Sequence, residues 1–157
     1  MKNILKISFS FIITFFVGVM LPSLINDPDY QSIELQNYSL LESFKDFGFI
    51  LINNSIALLV LFFSLILGRW FLYFFYFING FLIGLFLTKV QMKIFLLAIL
   101  PHGILEITTF FVIGLMIFLV KQGYKMKKMY FLVAYSGLIF SAFIEAFMTP
   151  IILKFFH

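Results

Sequence analysis

Long apolar runs separated by short polar breaks organise this chain. Apolar positions dominate Ile4 to Leu24, Phe47 to Leu67, Trp70 to Leu87, Phe95 to Val120 and Met129 to Leu153. Each run is close to the roughly 20 residues that a helix needs to cross a bilayer. The pattern predicts an all-α, polytopic integral membrane bundle of five transmembrane helices in one membrane domain. Residues 1–25 supply the first span, 26–46 an extracytoplasmic segment and 47–157 the rest of the helical core. Within 26–46, Ile33, Leu40, Leu41 and Phe44 fall at roughly helical spacing, which suits an amphipathic helix lying on the membrane surface. Gly68-Arg69 marks a tight turn between two spans. Pro101 interrupts the fourth run, so Phe95 to Leu100 reads as a short re-entrant or surface helix ahead of the fourth span.

Composition agrees with that picture. Hydrophobic residues make up 63% of the chain and charged residues 11%, against about 25% charged in a soluble domain. So little polar surface cannot coat a water-facing globule, and lipid is the implied partner. The chain has no cysteine, which removes disulfides, thiolate catalysis and thiolate metal ligands together. A net charge of +4 gives no reason to invoke nucleic acid. The first run follows Lys2 and Lys6 in the manner of a signal peptide. It is longer than a signal core and lacks a small-x-small cleavage site, so it is expected to stay as a helix.

Lysine and arginine favour cytoplasmic loops. With the amino terminus inside and the carboxyl terminus outside, the inner face holds Lys2, Lys6, Arg69, Lys121, Lys125, Lys127 and Lys128. The outer face holds Lys45, Lys89, Lys93 and Lys154, a split of seven to four among the 11 basic residues. Trp70, Tyr73 and Tyr76 then suit an interfacial belt. The lysine loop is a topology anchor and a candidate contact for a cytoplasmic partner or anionic lipid.

The chemistry lies in the polar residues inside the spans. An intramembrane carboxylate is costly unless it is paired, protonated or bound to a cation, and marks a functional candidate. There are two, Glu106 and Glu145, with one intramembrane histidine, His102, and the amides of Asn53, Asn54 and Asn79. His102 and Glu106 are four apart and share a helix face. At about 1.5 Å rise per residue, Glu106 lies roughly 21 Å and Glu145 roughly 24 Å above the inner ends of their spans. Asn53 and Asn54 fall at roughly 20 Å if the hydrocarbon is about 30 Å thick. One polar layer results, and Asn79 sits deeper.

Three readings of that layer compete. The groups are interhelical hydrogen-bonding glue. Alternatively, His102, Glu106 and Glu145 ligate zinc with an open water position, a site for intramembrane peptide cleavage. In the third, the carboxylates carry protons or ions. Gly80 and Gly84 have the small-xxx-small spacing of close helix contact, and the Phe71–Phe81 stripe is lipid-facing bulk. No phosphate-binding glycine loop is present, so any ATP hydrolysis belongs to another subunit.

Asn53-Asn54, Asn79-Gly80 with Gly84, the stretch Leu100-Pro101-His102-Gly103-Ile104-Leu105-Glu106-Ile107, and Ile144-Glu145 with Thr149-Pro150 resemble the stage II sporulation protein M family over roughly residues 45–153. Its Pro-His-Gly-x-x-Glu element is the most specific piece. The resemblance implies one of two settings in the cytoplasmic membrane of Gram-positive bacteria. In the first, favoured by the short chain and its basic loop, a small member matures and exports a circular bacteriocin, or confers immunity to it. It would work with a cytosolic ABC-type ATPase and other membrane subunits on a hydrophobic peptide. His102, Glu106 and Glu145 would be the catalytic or zinc-binding set. Asn53, Asn54 and Asn79 would bind substrate, and Lys121, Lys125, Lys127 and Lys128 would contact the partner. In the second, the chain is a non-catalytic scaffold for enzymes that remodel peptidoglycan during engulfment.

Overall fold

The computed structural model describes residues 2–25, 39–90 and 92–154, with side chains of the first helix described from 6 to 22. The elements in chain order are α1 (Lys2–Ile25), α2 (Leu40–Phe62), α3 (Ser64–Leu67), α4 (Arg69–Lys89) and α5 (Met92–Ile94). A π-turn (Phe95–Ile99) leads into α6 (Leu100–Val120). Then come α7 (Lys128–Phe143), a second π-turn (Ile144–Met148) and α8 (Thr149–Leu153). Among the described residues there is no strand. Four continuous stretches are long and apolar enough to cross a membrane: Leu40–Leu67, Arg69–Lys89, Met92–Val120 and Lys128–Leu153. Lys6–Pro22 within α1 is a shorter apolar helix. The chain is thus a multi-pass α-helical membrane protein.

Helix α2 starts earlier than the hydrophobic pattern suggests. The Ser39 N–H donates to Glu42 Oε2 at 2.7 Å, and the Glu42 N–H donates to Ser39 Oγ at 3.3 Å. This reciprocal box satisfies donors that a helix start leaves open. Leu40, Leu41 and Phe44, expected in a surface helix, instead form the opening turns of α2; Ile33 lies outside the described residues. At the other end of this stretch Gly68 turns the chain with φ 97° and ψ −176°. That region of backbone space is essentially closed to residues with a Cβ, so the expected Gly68-Arg69 turn is present and requires glycine.

The chain packs as two compact units, residues 1–32 with 63–92, and residues 33–62 with 93–157. In the first, α1 and α4 run side by side in the same direction. Phe11 meets Gly80, Phe15 meets Gly84, and Gly18 meets Phe81 and Leu85, so the contacts advance along both helices together. A methyl group at Gly80 would stand 2.5 Å from Phe11 O and 2.6 Å from Thr14 Oγ1, and one at Gly84 would enter the Phe15 carbonyl. The small-xxx-small pair therefore does what its spacing suggests: it brings two backbones into contact, the main source of packing energy where lipid removes the hydrophobic drive. Leu72, Phe75 and Tyr76 are buried on α4, while Phe74 and Phe77 face outward. Trp70 is 84% exposed and packs edge-on against Tyr73, whereas Tyr76, expected beside them in an interfacial belt, is buried.

In the second unit α7 lies antiparallel to α2 and α6. Ala134, Leu138, Ala142 and Ala146, spaced four apart, are buried on α7 and its π-turn with Ser141 beside them, a stripe that faces one way on a helix. Gly137 sits against the Thr109 hydroxyl. Phe62 meets Phe131 near one end, and Phe44 meets Phe147 near the other.

Pro101 does not separate a surface helix from the fourth span. The path Met92–Val120 is continuously helical, with the widened turn Phe95–Ile99 just ahead of the proline. Proline lacks an N–H and its ring crowds the carbonyl a turn earlier. In the π-turn the Leu100 N–H reaches back five residues to Phe95 O, and the Thr149 N–H reaches Ile144 O in the same way ahead of Pro150.

Candidate functional site

The polar groups of the three-helix unit gather where the two π-turns face each other. Thr149 Oγ1 donates to Ala98 O at 3.0 Å, one hydroxyl bonding a carbonyl of the opposite π-turn. One turn further along α6, Ser141 Oγ donates to His102 O at 2.9 Å, fully buried. Backbone carbonyls loosened by a proline are satisfied in membranes by such neighbouring hydroxyls. These bonds fix the registers of α6 and α7, and with them His102, Glu106 and Glu145.

Asn54 Nδ2 donates to Glu106 Oε1 at 2.5 Å, joining α2 to α6 across 52 residues of chain. His102 is 7% exposed. Its Nε2 stands 3.8 Å from Glu145 Oε2, beyond hydrogen-bond range, and its buried Nδ1 has no hydrogen-bond partner. The Glu145 side chain is 36% exposed, against 9% for that of His102, so the pair opens on the glutamate side. Glu106 and Asp46 both lie within electrostatic range of Glu145. Farther along, Ser55 and Tyr135 share a hydrogen bond of 3.0 Å between α2 and α7.

Of the candidates read from the sequence, His102, Glu106, Glu145 and Asn54 are brought together. Asn53 is not among them: it is exposed while Asn54 is buried. Adjacent helix residues point about 100° apart, so only one of the two amides faces the bundle. Asn79 belongs to the other unit, where its Nδ2 donates to Phe75 O at 2.8 Å along its own helix. Lys125, Lys127 and Lys128 are exposed and Lys121 is half-exposed, on a loop that turns at Gly123 with φ 91°.

Two groups of the site went unread in the sequence. Asp46 falls in the segment expected outside the spans, and the Ser39–Glu42 capping box that starts α2 ahead of it is the signal that brings it in. Ser141 carried none, because a lone serine in an apolar run has no pattern.

Glu106 is turned onto Asn54, and among the described residues no group of three His, Asp or Glu side chains is spaced to hold a metal ion. No chemical step is therefore routed through a metal. What the arrangement provides is one fixed carboxylate–amide bond and one histidine–glutamate pair 3.8 Å apart that is more exposed on the glutamate side.

No curated protein and no solved structure matches the chain. A match does cover residues 7–150, running from α1 to the end of the polar layer at Pro150. It thus includes the first helix, which the resemblance read from motifs left out. By that match, to the family described as Stage II sporulation protein M, the chain belongs to the stage II sporulation protein M family.

Proposed function

We propose that this chain is the membrane subunit of a machinery in the cytoplasmic membrane that matures and exports a small hydrophobic peptide of the circular-bacteriocin type. The supporting observation is the polar layer: Asn54 bound to Glu106, and His102 facing Glu145, inside helices that are largely apolar. A hydrophobic peptide in lipid has no partners for its backbone amides, and this layer offers them. Glu145, whose side chain is 36% exposed, takes a proton from an attacking amine or water as a general base. Glu106, held by Asn54, positions the layer. Exclusion of bulk water favours closing a peptide on itself over hydrolysis. A cytosolic ABC-type ATPase supplies the energy, docking on Lys121, Lys125, Lys127 and Lys128.

The family match favours a second reading, a non-catalytic scaffold for peptidoglycan-remodelling enzymes. One experiment separates them. The protein is purified from its native membrane in mild detergent, beside a variant with the four loop lysines changed to glutamine, and its partners are identified by mass spectrometry. Recovery of an ATPase and a hydrophobic peptide, with the ATPase lost from the variant, is the expected result. Recovery of wall hydrolases that ignore the loop substitution replaces the first reading by the second.

A further inference from the structure

Asn53 has no use within the three-helix unit. The Asn54–Glu106 bond fixes the rotation of α2 about its axis and leaves the neighbouring amide of Asn53 exposed. Asn79 meets the same difficulty by donating to Phe75 O on its own helix. Among the described residues Asn53 has no hydrogen-bond partner. It stands between Asp46 and Arg69, the nearest charges along the chain, about 10 Å from the first at the helical rise. Lipid at that depth offers an amide nothing to bond.

Gly48, on the same helix, is equally unexplained. A methyl group at Gly18, Gly80, Gly84 or Gly137 would strike a neighbour, whereas one at Gly48 meets nothing within 4 Å. Glycine weakens a helix interior, and no contact within the chain offsets that. Around the two positions Phe49, Ile52, Ile56 and Leu59 are each more than half exposed. Their spacing alternates between three and four residues, the seven-residue repeat by which one helix lays a seam along another. Phe49 and Ile56 take the a positions and Ile52 and Leu59 the d positions, which puts Gly48 at g and Asn53 at e.

We propose that this face of α2 joins two copies of the chain as a parallel pair about a two-fold axis normal to the membrane, with each Asn53 amide set against the other copy's Gly48. Copies inserted in one membrane share one orientation, so α2 runs the same way in both. In a parallel seam an e residue lies across from the g residue five positions earlier on the other helix, and for Asn53 that residue is Gly48. The bare backbone there leaves its carbonyl open to a second hydrogen bond, which the amide donates. The contact forms twice, once on each side of the axis. Lipid would cover the apolar residues as well as a protein does. The amide and the glycine select a second copy, because one face holds both halves of the contact at the spacing a parallel copy needs. The inference is independent of the peptide-handling reading.

The chain has no cysteine, so single cysteines report proximity alone. Phe49→Cys, Ile52→Cys and Ile56→Cys are each oxidised in the full chain in its native membrane, beside Phe140→Cys on the exposed face of α7. Disulfide-linked dimers of the chain are expected from the three α2 variants and not from the fourth, since the bond closes only with Cβ atoms about 4 Å apart. In lipid vesicles, stepwise photobleaching of labelled chains is expected to count two. Asn53→Leu and Gly48→Leu are each expected to weaken that association roughly tenfold. Neither touches the inside of the chain, so unchanged thermal unfolding in detergent separates a lost contact from a lost fold. Single chains at every dilution overturn the proposal. So do cross-links to a different membrane protein in place of a second copy, or an association that ignores both leucine substitutions.

Discussion

The two packed units solve the same problem by opposite means. Helices α1 and α4 are held by nearness: Gly18, Gly80 and Gly84 let one backbone rest on another, and the Thr14 hydroxyl stays on its own helix, donating to Ser10 O at 2.9 Å. The three-helix unit is held by directed bonds between helices, from Asn54, Ser141, Thr149 and Ser55, and its two long helices beyond α2 each contain a π-turn. In lipid the first mode depends on shape and tolerates no added volume. The second depends on pairing and tolerates change in proportion to the bond removed. The candidate residues His102, Glu106, Glu145 and Asn54 all lie in the second unit, where directed bonds orient polar groups.

That contrast is open to attack from both sides. The largest effect is expected at Gly84→Val, where the added carbons meet the Phe15 backbone; a loss of about 3 kcal/mol in detergent unfolding is expected, as for an overpacked core. A loss below 1 kcal/mol would show that the helices slide apart at little cost. Next is Glu106→Ala, which leaves the buried Asn54 amide unpaired, for about 2 kcal/mol. Glu106→Gln, which keeps an acceptor, is expected to recover most of it, and equal losses would deny the hydrogen bond its role. Ser39→Ala removes the cap of α2 and is expected to cost about 1 kcal/mol, read as earlier thermal loss of helicity. Smallest is the Ser55–Tyr135 bond. A double-mutant cycle with Ser55→Ala and Tyr135→Phe should give a coupling near 0.6 kcal/mol, typical of polar pairs between membrane helices.

How much of this was legible in the chain depended on whether one helix or two decided it. The spans followed from apolar run length, and the Gly80–Gly84 contact from spacing on a single helix. Gly68 was legible as a turn because no other residue signals one there. Pro101 misled, since its stop signal holds in water; a membrane helix instead widens by a turn and borrows the Thr149 hydroxyl from a neighbour. Helical rise alone puts Glu106, Glu145 and Asn54 at one level. Depth says nothing of azimuth, so it placed Asn53 there as well and could not tell which carboxylate would be bonded and which left open. That division depends on the rotation of three helices about their axes, which the hydroxyls of Ser141 and Thr149 set. No run of residues along the chain encodes it.

The two π-turns also determine where the chain can change length. Elsewhere in these helices, deleting one residue turns everything on one side of the cut by about 100° and carries buried groups out to lipid. A five-residue π-turn holds one residue more than an α-turn needs, and the surplus is absorbed locally. Losing a residue between Phe95 and Ile99 would tighten the turn at the expense of room for Pro101, while His102 and Glu106 kept their facing. Two single-residue reserves, one ahead of each proline, thus mark places within the second unit's described helices where a deletion leaves the polar layer aimed as it is.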